Sequence, residues 1–243
     1  MTLEGKKALV TGAAGGIGSV LVAKLRDEGV RVAVTDRDTS NLEADARFDG
    51  DLTDTSFCDA LPGHASQELG GLDILCNNAG VITRGDITQV RDTDYERTMA
   101  INVEAPFRLC RAAIPLMANA GGGAIVNTAS CWGVYPGSNH PLYVMSKAAL
   151  ASLTQCLGRD HAPQGIRVNA VCPNEVDTPM LRSGFEIRGL DAVSAVSELN
   201  ASVPIGHIAR PEEIADVIVF LASDAARYMC GALVEVNGGK PVT

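Results

Sequence analysis

A tyrosine and a lysine lie four residues apart, at Tyr143 and Lys147, in a segment whose apolar pattern predicts a helix over residues 142–161. On a helix this spacing places both side chains on one face. A free phenol has a pKa of about 10, and a lysine cation a few ångströms away lowers that pKa by favouring the phenolate. The pair therefore predicts a general base that takes a proton from an alcohol, or the corresponding acid in the reverse direction.

Ser130 ends an apolar run over residues 124–130, thirteen residues before Tyr143. A hydroxyl at that place can hydrogen-bond a substrate oxygen and stabilise the charge that develops on it. A solvated Tyr–Lys pair and a serine that merely ends a strand are the alternatives for these residues taken separately. We expect Ser130, Tyr143 and Lys147 to form one proton-transfer site.

A glycine-rich motif, TGAAGGIG at residues 11–18, follows the first apolar run and precedes an amphipathic segment. Glycines at a strand-to-helix turn let the backbone approach a pyrophosphate, and the helix N-terminus attracts the anion. The spacing of Gly12, Gly16 and Gly18 differs from the G-x-G-x-x-G fingerprint, so a turn without a ligand is the alternative for this motif alone. Its position between a strand and a helix favours a dinucleotide site.

Asp36 ends the second apolar run, eighteen residues after Gly18. A carboxylate at that place accepts hydrogen bonds from both ribose hydroxyls of a dinucleotide and repels a 2′-phosphate, which favours NAD over NADP. Arg37 is adjacent, and a guanidinium there could bind the phosphate of NADP instead. We give the greater weight to Asp36 and predict NAD as the cofactor.

The elements that must position these residues alternate between strands and helices. Strands are predicted at residues 7–11, 30–35, 46–52, 72–77, 124–130, 166–172 and 232–236. Helices are predicted at residues 17–28, 54–69, 92–119, 142–161 and 211–222. The runs lack strict alternation of apolar and polar residues, which is typical of strands buried on both faces. This order predicts an α/β fold with a doubly wound, Rossmann-type parallel sheet of seven strands flanked by helices.

Residues 1–243 are expected to form a single cofactor-binding and catalytic domain. Two segments depart from the alternation of strands and helices. Residues 37–46 leave little room for a crossover helix, and residues 174–210 contain two prolines and no strand pattern. We predict that the second segment is a mobile lid or substrate loop.

Composition excludes several classes of function. The net charge is −9 with 46% hydrophobic residues, which argues against a nucleic-acid-binding surface and against disorder. Neither a signal peptide nor a membrane span is predicted. The seven cysteines form no CxxC pair and the four histidines are scattered, so we expect reduced thiols, a cytoplasmic protein and no metal site.

The motifs in their order resemble the short-chain dehydrogenase/reductase family. They are TGAAGGIG at 11–18, Asp51-Leu52, NNAG at 77–80, Asn102, Ser130, Tyr143-x-x-x-Lys147 and the Pro173 to Thr178 loop. The resemblance extends from Thr11 to Gly239. It implies that Lys147 also binds the nicotinamide ribose, that Asn102 holds a proton-relay water, and that the protein is a homotetramer assembled through helices 92–119 and 142–161.

The resemblance also implies a set of cofactor contacts. Asp51 and Leu52 are expected near the adenine, Asn78 to Gly80 along the cofactor with Asn78 in a structural role, and Val176 and Thr178 at the carboxamide. The full expected set is Gly12, Gly15, Gly16, Ile17, Gly18, Asp36, Arg37, Asp51, Leu52, Asn78, Ala79, Gly80, Tyr143, Lys147, Pro173, Val176 and Thr178.

The sequence departs from the family after the sixth strand, where most relatives have Pro-Gly and this chain has Pro173-Asn174-Glu175. Our hypothesis is that Asn174 and Glu175 contact a hydroxyl-rich substrate, and a local Asx-type turn is the alternative. The full expected set of substrate contacts is Ser130, Trp132, Asn139, His140, Tyr143, Asn174 and Glu175. Three arginines near the expected pocket mouth could bind a carboxylate or sulfonate, or be solvated loop charges: Arg84, Arg182 and Arg188.

The predicted activity is NAD-dependent interconversion of a secondary or hemiacetal alcohol and a carbonyl, a lactone where the alcohol is a hemiacetal. The expected substrate is a sugar, sugar acid or polyol. One alternative is a 3-oxoacyl-carrier-protein reductase, against which Asp36 counts because such reductases usually prefer NADPH. The other is a catalytically silent NAD-binding sensor or scaffold, against which the intact Ser130, Tyr143 and Lys147 count.

Overall fold

Seven parallel strands form one sheet at the centre of the molecule. The computed structural model describes residues 3–240, so residues 1, 2 and 241–243 of the predicted domain lie outside the described residues. The strands are β1 (Lys7–Thr11), β2 (Arg31–Asp36), β3 (Ala46–Asp49), β4 (Ile74–Asn77), β5 (Gly123–Thr128), β6 (Ile166–Pro173) and β7 (Leu233–Val236). Their order across the sheet is β3-β2-β1-β4-β5-β6-β7, which confirms the predicted doubly wound parallel sheet.

Helices flank the sheet. They are α1 (Gly16–Asp27), α2 (Thr55–Leu69), α3 (Asp92–Met99), α4 (Ala105–Asn119), α5 (Cys131–Val134), α6 (Pro141–His161), α7 (Pro179–Ile187), α8 (Ala192–Ser202) and α9 (Pro211–Ala222). Short 3-10 turns lie at Ile87–Gln89, Ala162–Gln164 and Asp224–Ala226. No helix within residues 3–240 is long and apolar enough to cross a membrane.

Each face of the sheet has its own apolar core. Val10 of β1 packs in one cluster with Leu21 of α1 and Ile218 of α9. Its neighbour Leu9 points to the other face and belongs to a second cluster, which includes Leu61 of α2 and Leu109 of α4. Because successive residues of a strand point to opposite faces, apolar residues at consecutive positions are needed to fill both cores. This explains why the strands read as continuous apolar runs.

The predicted helix over residues 92–119 is divided in the structure. Helices α3 and α4 are joined by a π-helical turn at Ala100–Glu104. A π turn adds one residue to the helical repeat, and such turns occur frequently at functional sites. Asn102 lies in this turn and is fully buried.

Residues 174–210, predicted to be a mobile lid or substrate loop, contain α7 and α8, and the role as a lid stays a prediction. Pro179 occupies the first turn of α7, where its missing N–H costs nothing, and the Thr178 side chain caps the helix by accepting from the Leu181 backbone N–H. A parallel bridge joins Val176 to Ala209 at the two ends of the segment. The segment between β2 and β3 contains no helix, in agreement with its short length.

Candidate active site

All seven strands run in one direction, so the functional loops gather at the edge of the sheet where the strands end. β1 and β4 are neighbours in the sheet although β2 and β3 lie between them in sequence. In doubly wound sheets, ligands bind at such a change of strand order. The turn after β1, the loop after β4 and the ends of β5 and β6 border two adjoining cavities there.

The first cavity is a cleft of about 380 Å³ over the glycine-rich turn. Its walls include twelve of the residues predicted to contact the cofactor: Gly12, Gly15, Gly16, Ile17, Asp36, Arg37, Asp51, Leu52, Asn78, Ala79, Gly80 and Thr178. Gly18 lies behind the turn and is buried within α1. The structure therefore brings most of the predicted cofactor residues to one cleft.

The glycines of the turn leave no space for side chains. Gly12 has a φ of 64°, and a Cβ there would lie 2.7 Å from the Ala79 Cα. A Cβ on Gly16 would lie 2.8 Å from the Thr178 Cγ2, and one on Gly18 would overlap the Gly12 carbonyl oxygen. The bare backbone between β1 and α1 fits a pyrophosphate, which needs N–H groups at close approach. The residues present thus fit a dinucleotide.

Asp36 is held in place at the end of β2. Its Oδ2 accepts a hydrogen bond of 2.9 Å from the Ala14 backbone N–H, and its Oδ1 accepts one of 2.8 Å from the Arg37 N–H. The Arg37 charge also contributes to lowering the pKa of Asp51, after the larger effect of hydrogen bonds from Thr53. Both Asp36 and Arg37 line the cleft. The structure therefore leaves open both possibilities given by the sequence: selection of NAD by Asp36 and binding of the NADP phosphate by Arg37.

Asn78 serves the architecture of the turn. Its Nδ2 donates to the carbonyl oxygens of Thr11 and Gly12 at 3.2 and 3.1 Å, and the Thr11 hydroxyl accepts from the backbone N–H groups of Asn78 and Ala79. These bonds tie the loop after β4 to the end of β1. The geometry is that of the structural role predicted for Asn78.

The second cavity, of about 180 Å³, adjoins the cleft and shares part of its wall. Ser130, Tyr143 and Lys147 all line it, together with Pro173 and Val176. Ser130 follows β5 and caps α5, where its Oγ accepts from the Trp132 N–H at 3.2 Å. Tyr143 and Lys147 lie in the first turns of α6, and the Lys147 Nζ is 5.9 Å from the centre of the Tyr143 ring. The structure therefore unites the three residues that the sequence selected for proton transfer.

Lys147 is 3% exposed, and its Nζ donates a hydrogen bond of 2.7 Å to the Thr128 carbonyl oxygen at the end of β5. Within residues 3–240 no carboxylate lies close enough to form an ion pair with it. Burial therefore lowers the pKa of Lys147 to about 8, because the charged form loses its hydration. The ammonium group also approaches Gly80, where a Cβ would lie 3.2 Å from Nζ.

The expected lowering of the Tyr143 pKa by Lys147 is not what the structure shows. Burial raises the pKa of Tyr143, while the Ser130 hydroxyl and the Arg84 charge act in the opposite direction. The nearby cation is evident from the sequence, whereas desolvation of the phenol, which has the largest effect on its pKa, depends on the fold. In this structure Tyr143 is therefore a protonated acid at neutral pH.

The side chain of Asn102 is bonded to the protein. Its Oδ1 accepts from the Val81 N–H at 2.8 Å, and its Nδ2 donates to the Val81 carbonyl at 2.8 Å and to the Ser146 Oγ at 3.0 Å. These contacts join the π turn to the loop after β4 and to α6. The relay role predicted for Asn102 stays a prediction, and its amide has a positioning role that the sequence did not indicate.

The residues expected to contact substrate divide into two groups. Trp132, Asn174 and Glu175 line the second cavity, whereas Asn139 and His140 are absent from its wall among the described residues. The His140 ring packs on Trp132 with centroids 4.5 Å apart. Asn139 has a φ of 60°, and its carbonyl accepts from the Gly85 N–H. Both therefore lie outside the cavity wall, with His140 in contact with the wall residue Trp132.

Glu175 differs from the free polar contact that the sequence suggested. Its Oε1 lies 2.7 Å from the Lys240 Nζ, which also donates to the Ser202 Oγ at 3.0 Å. The pair connects the end of β6 to α8 and to the C-terminal segment. The other carboxylate oxygen of Glu175, Oε2, is buried without a hydrogen-bond partner within residues 3–240.

Several wall residues were not identified from the sequence. The apolar side of the cavity is formed by Ile82, Met180 and Leu181, and Arg84 brings a cation to it. From the sequence, Arg84 was one of three arginines near the pocket mouth that could bind a carboxylate or sulfonate or be a solvated loop charge. The position of Ile82 and Arg84 directly after the NNAG motif is the signal that could have placed them at the site.

Comparisons with known proteins cover nearly the whole chain. The family model described as enoyl-(acyl carrier protein) reductase matches residues 12–240. The chain is 36% identical to the cis-4-hydroxycyclohexanecarboxylate dehydrogenase of Sinomonas cyclohexanicum, over 96% of this chain and 95% of that protein. It is 31% identical to the 3-oxoacyl-[acyl-carrier-protein] reductase of Thermotoga maritima, over 98% and 99% respectively.

Among solved structures, the ligand-free aldohexose dehydrogenase of Thermoplasma acidophilum matches with a TM-score of 0.92. The two chains are 32% identical, and the match covers 98% of this chain and 94% of the other. The shared region includes the glycine-rich turn and the helix that bears Tyr143 and Lys147.

Proposed function

This chain belongs to the short-chain dehydrogenase/reductase family, and we propose that it is an NAD-dependent dehydrogenase of a sugar, sugar acid or polyol. Family members are oxidoreductases that use a nicotinamide cofactor, NAD or NADP. The reaction would interconvert a secondary or hemiacetal alcohol and its carbonyl. The observation that carries the proposal is the meeting of Ser130, Tyr143 and Lys147 in a cavity that adjoins the glycine-rich cleft.

The choice of NAD rests on Asp36. Its carboxylate lines the cleft, and it would accept hydrogen bonds from the ribose hydroxyls and repel a 2′-phosphate. Asp51 and Leu52 would border the adenine, and Val176 and Thr178 would hold the carboxamide. Lys147 would bind the nicotinamide ribose. When bound, the nicotinamide accepts or returns the hydride of the carbinol carbon.

The chain's own residues handle the proton. The Ser130 hydroxyl would donate a hydrogen bond to the substrate oxygen, and the Tyr143 hydroxyl would exchange a proton with the same oxygen. The raised pKa of Tyr143 suits the acid needed for carbonyl reduction. Alcohol oxidation needs the phenolate, so we propose that it proceeds faster as the pH rises. Asn102 would hold the relay water that returns the proton to solvent.

The polar part of the cavity wall supports the substrate class. Asn174 and the unpartnered Glu175 Oε2 are acceptors for substrate hydroxyls, and Trp132 offers an aromatic face on which a sugar ring can stack. Two relatives point in the same direction, since one acts on an aldohexose and the other on a cyclic hydroxy acid. We further propose that the whole chain acts as one domain in a cytoplasmic homotetramer.

The proposal is tested by a substrate screen. The purified protein is incubated with sugars, aldonates and polyols, and the formation of reduced cofactor is followed with NAD and, in parallel, with NADP. The expected result is oxidation of at least one compound with a kcat/KM at least tenfold higher for NAD. A preference for NADP on every oxidised compound would contradict the cofactor assignment, and failure to oxidise any compound would contradict the proposed activity.

A second candidate is reduction of 3-oxoacyl groups on acyl carrier protein, favoured by the carrier-protein reductase among the relatives. The two activities are separated by one assay, the oxidation of NADPH by the protein with acetoacetyl-acyl-carrier-protein. We expect no turnover above background, because the chain carries a net charge of −9 and acyl carrier protein docks on basic surfaces. Turnover that exceeds the best alcohol in the screen would favour the second candidate.

A further inference from the structure

One cation in the wall of the catalytic cavity has no assigned role. Arg84 lies in the loop after β4 and lines the same cavity as Ser130 and Tyr143. It is half-buried, and its charge is close enough to Tyr143 to oppose the rise of that pKa. A guanidinium at this place can contact a substrate whose oxygen is bound by Ser130 and Tyr143.

The backbone on both sides holds Arg84 in position. Its Nη2 donates a hydrogen bond of 2.9 Å to the Met180 carbonyl in α7. Gly184, one turn further along α7, leaves room for the guanidinium, since a Cβ there would lie 2.6 Å from Nη2. On the other side, the Gly85 N–H donates to the Asn139 carbonyl at 2.9 Å. The side chain is therefore clamped between α7 and its own loop rather than free in solvent.

Arg84 has no counterion. Within residues 3–240 no carboxylate lies within 4.0 Å of it, and its Nε and Nη1 make no hydrogen bond. Arg182 in the same helix shows the contrast, because it forms two hydrogen bonds of 2.8 Å with the Asp177 carboxylate. A partly buried guanidinium without an anion loses hydration without recovering an ion pair, which is costly unless a ligand supplies the charge.

A second unpaired arginine adds to the positive charge. The Arg188 Nε donates to the Gly184 carbonyl at 3.0 Å, so both guanidinium groups approach the same residue. Burial lowers the pKa of Arg84 and the Arg188 charge lowers it further. The same two charges contribute to lowering the pKa of His140, again after burial. The field at this end of the cavity is thus positive.

The other charged residues of the cavity wall do not cancel this positive field. The charged residues that line the cavity within residues 3–240 are Arg84, Lys147 and Glu175. Glu175 already forms an ion pair with Lys240 at 2.7 Å. The cavity therefore presents, beside the proton-transfer residues, a guanidinium without an anionic partner within residues 3–240, and its remaining N–H donors can hydrogen-bond a carboxylate.

We propose that Arg84 binds the carboxylate of the substrate, so that the physiological substrate is a hydroxy acid or a sugar acid rather than a neutral sugar or polyol. The inference rests on the proposed function, because it narrows the substrate class of the same site. Arg84 acts here as a specificity residue. Ser130, Tyr143 and Lys147 serve acids and neutral alcohols alike, so the effect of Arg84 on the pKa of Tyr143 applies equally to both, and the preference between them reports the contact with the carboxylate.

The test compares each acid with its own primary amide, which keeps the shape and polarity and removes the charge. The probes are D-gluconate, L-threonate and 3-hydroxybutyrate with their amides, and kcat/KM for oxidation is measured for the wild type, Arg84→Met and Arg84→Lys. Arg182→Met is the matched control, because it removes a neighbouring arginine that is already paired. Binding of NADH to each variant reports that the fold and the cofactor site are intact.

The wild type is expected to prefer the acid of at least one pair by tenfold or more. Arg84→Met should reduce that preference at least tenfold, and Arg84→Lys should reduce it partly. Arg182→Met should leave the preference within twofold. An unchanged preference in Arg84→Met, or a wild type that oxidises the amides as well as the acids, would overturn the inference and leave the proposed function standing.

If the wild type oxidises none of these probes, their binding to the protein is measured instead. Each acid and amide is titrated into the protein–NADH complex and the heat of binding is measured. Binding of an acid that is at least tenfold tighter than its amide, and lost in Arg84→Met, supports the anion subsite although the proposed activity has failed. Equal or undetectable binding of acid and amide overturns the inference.

Discussion

Lys147→Met should change how the stability of the protein depends on pH. Lys147 is 3% exposed and has no carboxylate partner among the described residues, and burial lowers its pKa from 10.5 to about 8. At about 1.4 kcal/mol per pH unit, this difference corresponds to a cost of about 3 kcal/mol for burying the cation at low pH. Met removes the charge and keeps a side chain of similar length.

The sign follows from proton binding. The unfolded chain holds the Lys147 proton more tightly than the folded chain, so the cost is fully present below pH 8 and is relieved as the pH rises toward 10.5. Between pH 7 and pH 9 the wild type should therefore gain about 1 kcal/mol relative to Lys147→Met. The variant also loses the hydrogen bond to the Thr128 carbonyl, which lowers its unfolding free energy by the same amount at every pH in this range.

The assay is urea unfolding of both proteins without cofactor, at equal protomer concentration, from pH 6 to pH 9. The difference in unfolding free energy should be nearly constant from pH 6 to pH 7 and then change by about 1 kcal/mol by pH 9. Lys24→Met is the control, because Lys24 lies at the surface and is paired with Asp216. A difference in unfolding free energy between the wild type and Lys147→Met that is constant from pH 6 to pH 9 would contradict a lowered pKa of Lys147 in the folded protein.

Three further predictions concern the cofactor cleft and the core. Asp36→Ala should lower the ratio of kcat/KM for NAD to that for NADP at least tenfold, and an unchanged ratio would show that Asp36 does not select the cofactor. Gly18→Ala should lower the unfolding free energy by about 2 kcal/mol and weaken NADH binding, because its Cβ overlaps the Gly12 carbonyl. Gly63→Ala in α2 meets nothing within 4 Å and should instead stabilise by about 0.5–1 kcal/mol. No more than two of the seven thiols should react with DTNB in the native protein, because only Cys156 and Cys230 are exposed, and reaction of a third would contradict the described core.

The sheet could be predicted because its signals are local. The Val-rich runs, the glycine-rich turn and the i, i+4 spacing of Tyr143 and Lys147 each depend on a few neighbouring residues. The two helices within residues 174–210 were not predicted, because that segment was described only by its two prolines and its lack of a strand pattern. At the first turn of a helix a proline is favourable, and the capping hydroxyl of Thr178 was the signal for that position.

The energetics of the site depend on contacts between distant parts of the chain. The sequence shows that Lys147 and Tyr143 are close, but not how far the fold excludes water from them, and this loss of hydration raises the pKa of Tyr143 and lowers that of Lys147. The ion pair of Glu175 joins residues 65 positions apart, and the bond of Arg84 to Met180 spans 96. Neither could be inferred without the packing of α7 and α8 over the cavity.

The central claim is that Tyr143 transfers the proton in an oxidation that uses NAD. The most direct test is the kcat/KM of Tyr143→Phe on the best alcohol of the substrate screen, with NADH binding measured in the same preparation. We predict that kcat/KM falls by about 10²–10⁴-fold, as expected for loss of a general acid–base residue. NADH binding should stay within threefold of the wild type. Retention of more than a tenth of the wild-type kcat/KM, with the cofactor bound normally, would contradict the central claim.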